Sequence, residues 1–192
     1  LMSEEQEVKI GRDAAPEVIK QFGQYEGQEL QDYVQRVGEQ LAANSHRSNL
    51  VYRFTVLDTA DVNAFALPGG YIYITRGLLA YLNSEAELAA VLGHEIGHVT
   101  ARHSVRQQSA AQAADLGYTL GSILLPELRN QAAQQAFNVL GGALLSGYGR
   151  EHELEADRLG AEYLARSGYD PQAMIKVIGV LKNQEIFERQ LA

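Results

Sequence analysis

The chain has 192 residues, no cysteine and a formal net charge of −8. That length suits one domain with a real core, expected here to run over residues 1–192, and the missing cysteines exclude thiol catalysis, disulfides and cysteine metal sites. The acidic balance argues against a nucleic-acid partner.

The opening "LMSEEQEVKI" lacks the apolar core of a signal peptide. No apolar run reaches the roughly 18 residues of a spanning helix. The first stretch reads as helix; within it, residues 28–44 carry Leu30, Val34, Val37 and Leu41 at helical spacing. "AANSHRSN" reads as a loop. "LVYRFTVLD" alternates, with Tyr52, Phe54 and Val56 on one face. "VNAFAL" and "YIYIT" flank Pro68-Gly69-Gly70, which reads as a turn between strands.

Beyond residue 76 the pattern is helical. Ser84 and Glu87 form a capping-box pattern ahead of an apolar run, which predicts a helix over 85–105 with Leu88, Val91, Leu92 and Val99 on one side. The Gly- and Ala-rich stretch 108–149 reads as helical pieces broken near Pro126 and Gly141-Gly142. It suits small-residue packing, a movable flap or a surface next to a membrane. A further helix is expected over 150–167. "SGYDP" then supplies a stop at Gly168, an N-cap at Asp170 and a first-turn Pro171. Met174, Val177, Ile178 and Leu181 give the last helix one apolar face. The chain is expected to be α+β: mainly helical, with a small β-sheet beside the helix that carries the motif below.

His94-Glu95-Ile96-Gly97-His98 is H-E-x-x-H. Residues four apart on a helix share a face, so both imidazoles can reach one ion. Glu95 is rotated by about 100° and can stand beside the ion without binding it, in reach of the attacking water. This geometry reads as a zinc site with Glu95 as general base. A catalytic zinc wants a third protein ligand. His103 lies about 140° around a continuous helix from His98, so it reads as a surface or supporting histidine. In "REHELEADRLG", Glu153 and Asp157 share a helical face; one carboxylate could complete the ligand set and the other could accept a ligand's N–H. Glu151 and Glu155 read as solvated outer-face groups, although spacing alone does not separate them from Glu153.

"HEIGHVTARH" together with "REHELEADRLG" resembles the gluzincin proteases of metallopeptidase family forty-eight, related to the CAAX-prenyl and heat-shock membrane proteases. The likeness is greatest to their soluble bacterial branch, and "VNAFALPGGYIYITRGLL" also follows the family pattern. The resemblance implies a zincin-like metalloprotease domain with one zinc ion per chain on His94, His98 and Glu153. It implies Asp157 as the acid behind a ligand, and Asn63 and Ala64 as substrate-binding positions on an edge strand. It further implies an endopeptidase acting on unfolded or misassembled polypeptides, in the periplasm or otherwise outside the cytoplasm, close to a membrane. The chain departs from the family where it ends "NQEIFERQLA": Arg189 has no His-Pro before it, so either the sequence stops short of the His-Pro…Arg segment credited with stabilising the transition state or part of that stabilisation is missing. That departure raises the alternative of a latent, zinc-bound module that holds peptides, chaperone-like, without cutting them. A metal-free helical domain is the blander alternative.

Overall fold

The computed structural model describes residues 2–106 and 148–181. The expected breaks near Pro126 and Gly141-Gly142, the flap and Arg189 lie outside the described residues. Helix α1 (Glu4–Phe22) begins at Ser3, whose hydroxyl accepts the Gln6 N–H while the Gln6 side chain accepts the Ser3 N–H. The reciprocal pair satisfies two N–H groups that the first helical turn leaves unbonded. Helix α2 (Gln28–Ala43) buries Val34, Val37 and Leu41, the face that its spacing predicts.

Strands β1 (Arg53–Leu57), β2 (Ala64–Leu67) and β3 (Tyr71–Thr75) form a mixed sheet in the order β1-β3-β2. β1 runs parallel to β3, and β2 antiparallel to it. The β2–β3 turn places Gly69 and Gly70 at φ 92° and 100°, a region that side chains with a Cβ avoid. Both faces of the sheet are covered. Phe65, Leu67, Tyr71 and Tyr73 meet Ala14 and Val18 of α1. Phe54, Val56, Ala64, Ala66, Ile72 and Ile74 pack into the main core with α2 and the motif helix. Alternation along β2 and β3 thus feeds two cores, because successive side chains point to opposite faces.

A short helix α3 (Arg76–Leu79) is capped by Thr75. Helix α4 (Glu85–Thr100) is capped by Ser84, whose hydroxyl accepts the Glu87 N–H at 3.2 Å, while Glu87 accepts the Asn83 N–H. It is buried from Glu87 to Val99 and packs on α2 and β2. The expected helix over 85–105 is broken. α4 stops at Thr100, Arg102 turns left-handed at φ 58°, and α5 (His103–Arg106) starts in a new direction. Helix α6 (Arg150–Arg166) crosses α4. Asp170 then accepts the Gln172 N–H, and residues 173–181 are helical, with Met174, Val177 and Leu181 buried. The chain is therefore mainly helical with a small sheet packed on α4, as expected.

Candidate metal centre

Two helices meet at the centre, and glycine lets them meet closely. A Cβ on Gly97 would stand 2.8 Å from the Ala156 carbonyl oxygen, and one on Gly160 would stand 2.9 Å from the backbone nitrogen of His94. This approach brings the acidic face of α6 onto the histidine face of α4. Nε2 of His94 and Nε2 of His98 lie 3.1 Å apart. The Glu153 carboxylate reaches both, at 3.1 Å to each. The three side chains offer ligand atoms that all lie within 4.8 Å of one another. A His₂Glu donor set is one that zinc takes at catalytic sites, so these residues fit the ion.

His94 Nδ1 lies 2.6 Å from Asp157 Oδ1, the pairing that fixes a ligand's tautomer. Of the acids that spacing left open, Glu153 turns to the histidine pair and Glu151 is exposed. Glu95 is fully buried, and neither of its carboxylate oxygens has a hydrogen-bond partner among the described residues. A buried carboxylate without a partner is costly unless something else enters to meet it. Burial, helped by the charges of Glu153 and Asp157, pushes its pKa up to about 8, although His94 opposes the rise. Burial would lower His94, but the Asp157 and Glu153 carboxylates outweigh it and raise the pKa. His98 has less help, and burial takes it down to about 4. Burial would raise Glu153, but the two imidazoles hold it below its ordinary value.

Of the two readings the sequence left for His103, surface or supporting, the structure matches the second, and Glu155 is not the solvated outer-face group the sequence suggested. His103 is wholly buried, with Nδ1 2.7 Å from His98 Nδ1 and Nε2 2.6 Å from Glu155 Oε1. A continuous helix would carry His103 away; the left-handed Arg102 folds it back. No spacing signal announces that turn. Tyr148 stacks on His98 with ring centroids 4.3 Å apart, and His152 stacks on His103 at the same separation.

Ala64 opens β2, one of the two edge strands of the sheet, and Asn63 directly precedes it. The Asn63 carbonyl accepts the Thr75 N–H at 3.0 Å, so Ala64 turns its N–H and carbonyl away from β3. Asn63 Oδ1 accepts that outward Ala64 N–H at 2.9 Å. A small cavity lined by Ala66, Leu67, His98 and Arg102 lies between β2 and α4.

The sequence profile of peptidase family M48 matches residues 28–189. The beta-barrel assembly-enhancing protease of Yersinia pestis is 38% identical over 162 residues, which is 81% of this chain and 33% of that protein. Its counterpart in Escherichia coli strain K12 is 36% identical over the same shares. The mitochondrial metalloendopeptidase OMA1 of Schizosaccharomyces pombe is 32% identical over 172 residues, 87% of this chain and 49% of that protein. The chain thus spans about a third of the length of the bacterial relatives.

Proposed function

This chain belongs to peptidase family M48, and from that premise we propose that it is a zinc endopeptidase that hydrolyses unfolded or misassembled polypeptides outside the cytoplasm. The observation that carries the reading is the meeting of His94, His98 and Glu153 beside a buried Glu95 that has no partner among the described residues. His94, His98 and Glu153 would hold the ion. When bound, zinc would polarise the scissile carbonyl and acidify the attacking water.

Everything else falls to the protein's own groups. Asp157 accepts the Nδ1 proton of His94 and keeps that ring turned to the site. Glu95 takes a proton from the attacking water and hands it to the leaving amine; its carboxylate is buried beside the histidine pair, with no partner among the described residues to compete for that proton. Water is the nucleophile, so no acyl-enzyme forms. An extended substrate would add as a strand along β2, whose Ala64 and Ala66 turn their backbone groups away from β3; both residues are buried, so that edge would have to be uncovered first, and Asn63 competes for one of the groups. Strand addition reads backbone more than side chains, which suits unfolded polypeptide as the substrate class. Activity outside the cytoplasm and on misassembled polypeptides is supported by the likeness to proteases named for enhancing beta-barrel assembly. Among the described residues no helix is long and apolar enough to cross a membrane.

The test is cleavage of casein by zinc-loaded protein, with Glu95→Gln as control and bound zinc measured in both. The expected result is cleavage by the parent and a loss of roughly 10²- to 10⁴-fold in the variant, with zinc retained. Equal turnover in the two would remove Glu95 as base. Zinc and casein binding without cleavage by either would favour the latent, peptide-holding alternative.

A further inference from the structure

The two histidine ligands are supported differently. His94 reaches a carboxylate directly, through Asp157 at 2.6 Å. His98 reaches one only through another imidazole. Its Nε2 faces Glu153 and His94, each at 3.1 Å, so that nitrogen must be bare to serve as a ligand. The ring's proton then sits on Nδ1, because a neutral imidazole carries one proton. His103 Nδ1 is 2.7 Å away. Two ring nitrogens at that distance share one proton, so His103 accepts there and carries its own proton on Nε2. That N–H donates to Glu155 Oε1 at 2.6 Å. The Glu155 carboxylate is held by Arg106 at 3.1 Å and faces Arg158 at 3.7 Å, and it sits below the ordinary range chiefly because His103 donates to it. The donor and acceptor at each link are thereby assigned.

We infer that His103, oriented by Glu155, is a positioning residue for the metal ligand His98: it fixes the tautomer and ring plane of His98 and relays the pull of a distant carboxylate to the ligating nitrogen. The inference rests on the metal site proposed above. The fold spends an unusual conformation on it, since the turn at Arg102, φ 58°, is what returns His103 to α4. The stacked rings of Tyr148 and His152 leave the two imidazoles little freedom to turn. A carboxylate on α6 could not reach His98 Nδ1 directly, because the His103 ring occupies that space.

The experiment compares zinc affinity, by competition with a chromogenic chelator, and the visible spectrum of the cobalt-substituted protein. The variants are His103→Phe, which keeps ring and volume but has no acceptor, Glu155→Gln, and the double variant. The expected result is a loss of roughly 10- to 100-fold in zinc affinity with a shifted cobalt spectrum for His103→Phe. Glu155→Gln should lose less, and nothing further once His103 is gone. His103→Asn, whose side-chain oxygen can take the His98 proton, should recover part of the loss. A parent protein that binds neither metal defeats the metal reading itself. A parent that binds tightly, with affinity and spectrum unchanged in His103→Phe, defeats the relay alone. Should His103→Phe fail to fold, Glu155→Gln, at a partly exposed carboxylate, decides the matter: unchanged affinity and spectrum there overturn the relay.

Discussion

Without a metal ion, His94 holds a proton that the site would have to give up. Asp157 and Glu153 raise its pKa to about 10 against the effect of burial, and Glu95 is raised to about 8. A ligand nitrogen must be bare, so zinc competes with that proton. Both groups are protonated below their raised values, so the competition weakens as pH rises, and zinc affinity should climb steadily from pH 6 to 8. Calorimetry at pH 7 in buffers of different ionisation enthalpy should report about one to two protons released per zinc. Release of none would show that His94 is already neutral. At this scale the sequence was informative where chemistry and spacing coincide: H-E-x-x-H names three of the groups, whereas Glu153 and Asp157 came from the family resemblance, because spacing alone did not separate Glu153 from Glu151 and Glu155. It left His103 open between surface and support, because a 140° offset means separation only on a helix that continues. It also misjudged Glu155, which looks solvated in sequence but accepts a hydrogen bond from a buried ring.

At the level of elements, the centre depends on how closely α4 and α6 cross. A Cβ on Gly160 would lie 2.6 Å from Met174 Cε and 2.9 Å from the Gly93 carbonyl carbon and the His94 nitrogen. Met174 can swing aside, but the α4 backbone cannot. Gly160→Ala should therefore push the helices apart, at a cost of about 1–3 kcal/mol. For a chain this size that lowers Tm by roughly 2–4 °C per kcal/mol. Since Glu153 and Asp157 ride on the same helix, zinc affinity should fall as well. An unchanged Tm and affinity would mean the crossing has room to spare. Both helices were legible, α4 from its Ser84 cap and α6 as the helix expected over 150–167. Their contact was not, because a glycine inside a helix shows a cost in sequence without naming the partner that requires it. The end of α4 was misplaced for the same kind of reason: nothing in "TARH" marks Arg102 as left-handed.

Across the whole molecule, the first helix is pinned to the centre by a buried acid. Glu7 of α1 bonds Arg47 at 2.9 Å and also pairs with Arg102; Arg47 in turn donates to the Val99 carbonyl near the end of α4. Glu7→Gln would take the buried carboxylate from Arg102 and leave Arg47 only the half-exposed Glu4. Breaking such a buried pair costs about 3 kcal/mol or more, and thermal melting should show a drop of roughly 6–12 °C. Glu4→Gln is the control. Its half-exposed carboxylate also meets Arg47, at 3.2 Å, and an exposed pair contributes less than about 1 kcal/mol. A similar drop in both would mean that burial of Glu7 is not what matters. The helical nature of the opening stretch was legible, but its docking was not, since one glutamate among several in "SEEQEVK" looks like solvent-facing charge. The ligands themselves are shared between α4 and α6, which lie far apart along the chain. A single ion touching His94, His98 and Glu153 would act as a removable rivet, closing a long loop whose entropy the unfolded chain would otherwise regain. Supply of a metal ion would then bear on the stability of the fold itself. Under scarcity the α4–α6 seam should loosen first, visible as faster amide exchange over residues 85–100 and 150–166 after chelation while the sheet stays protected.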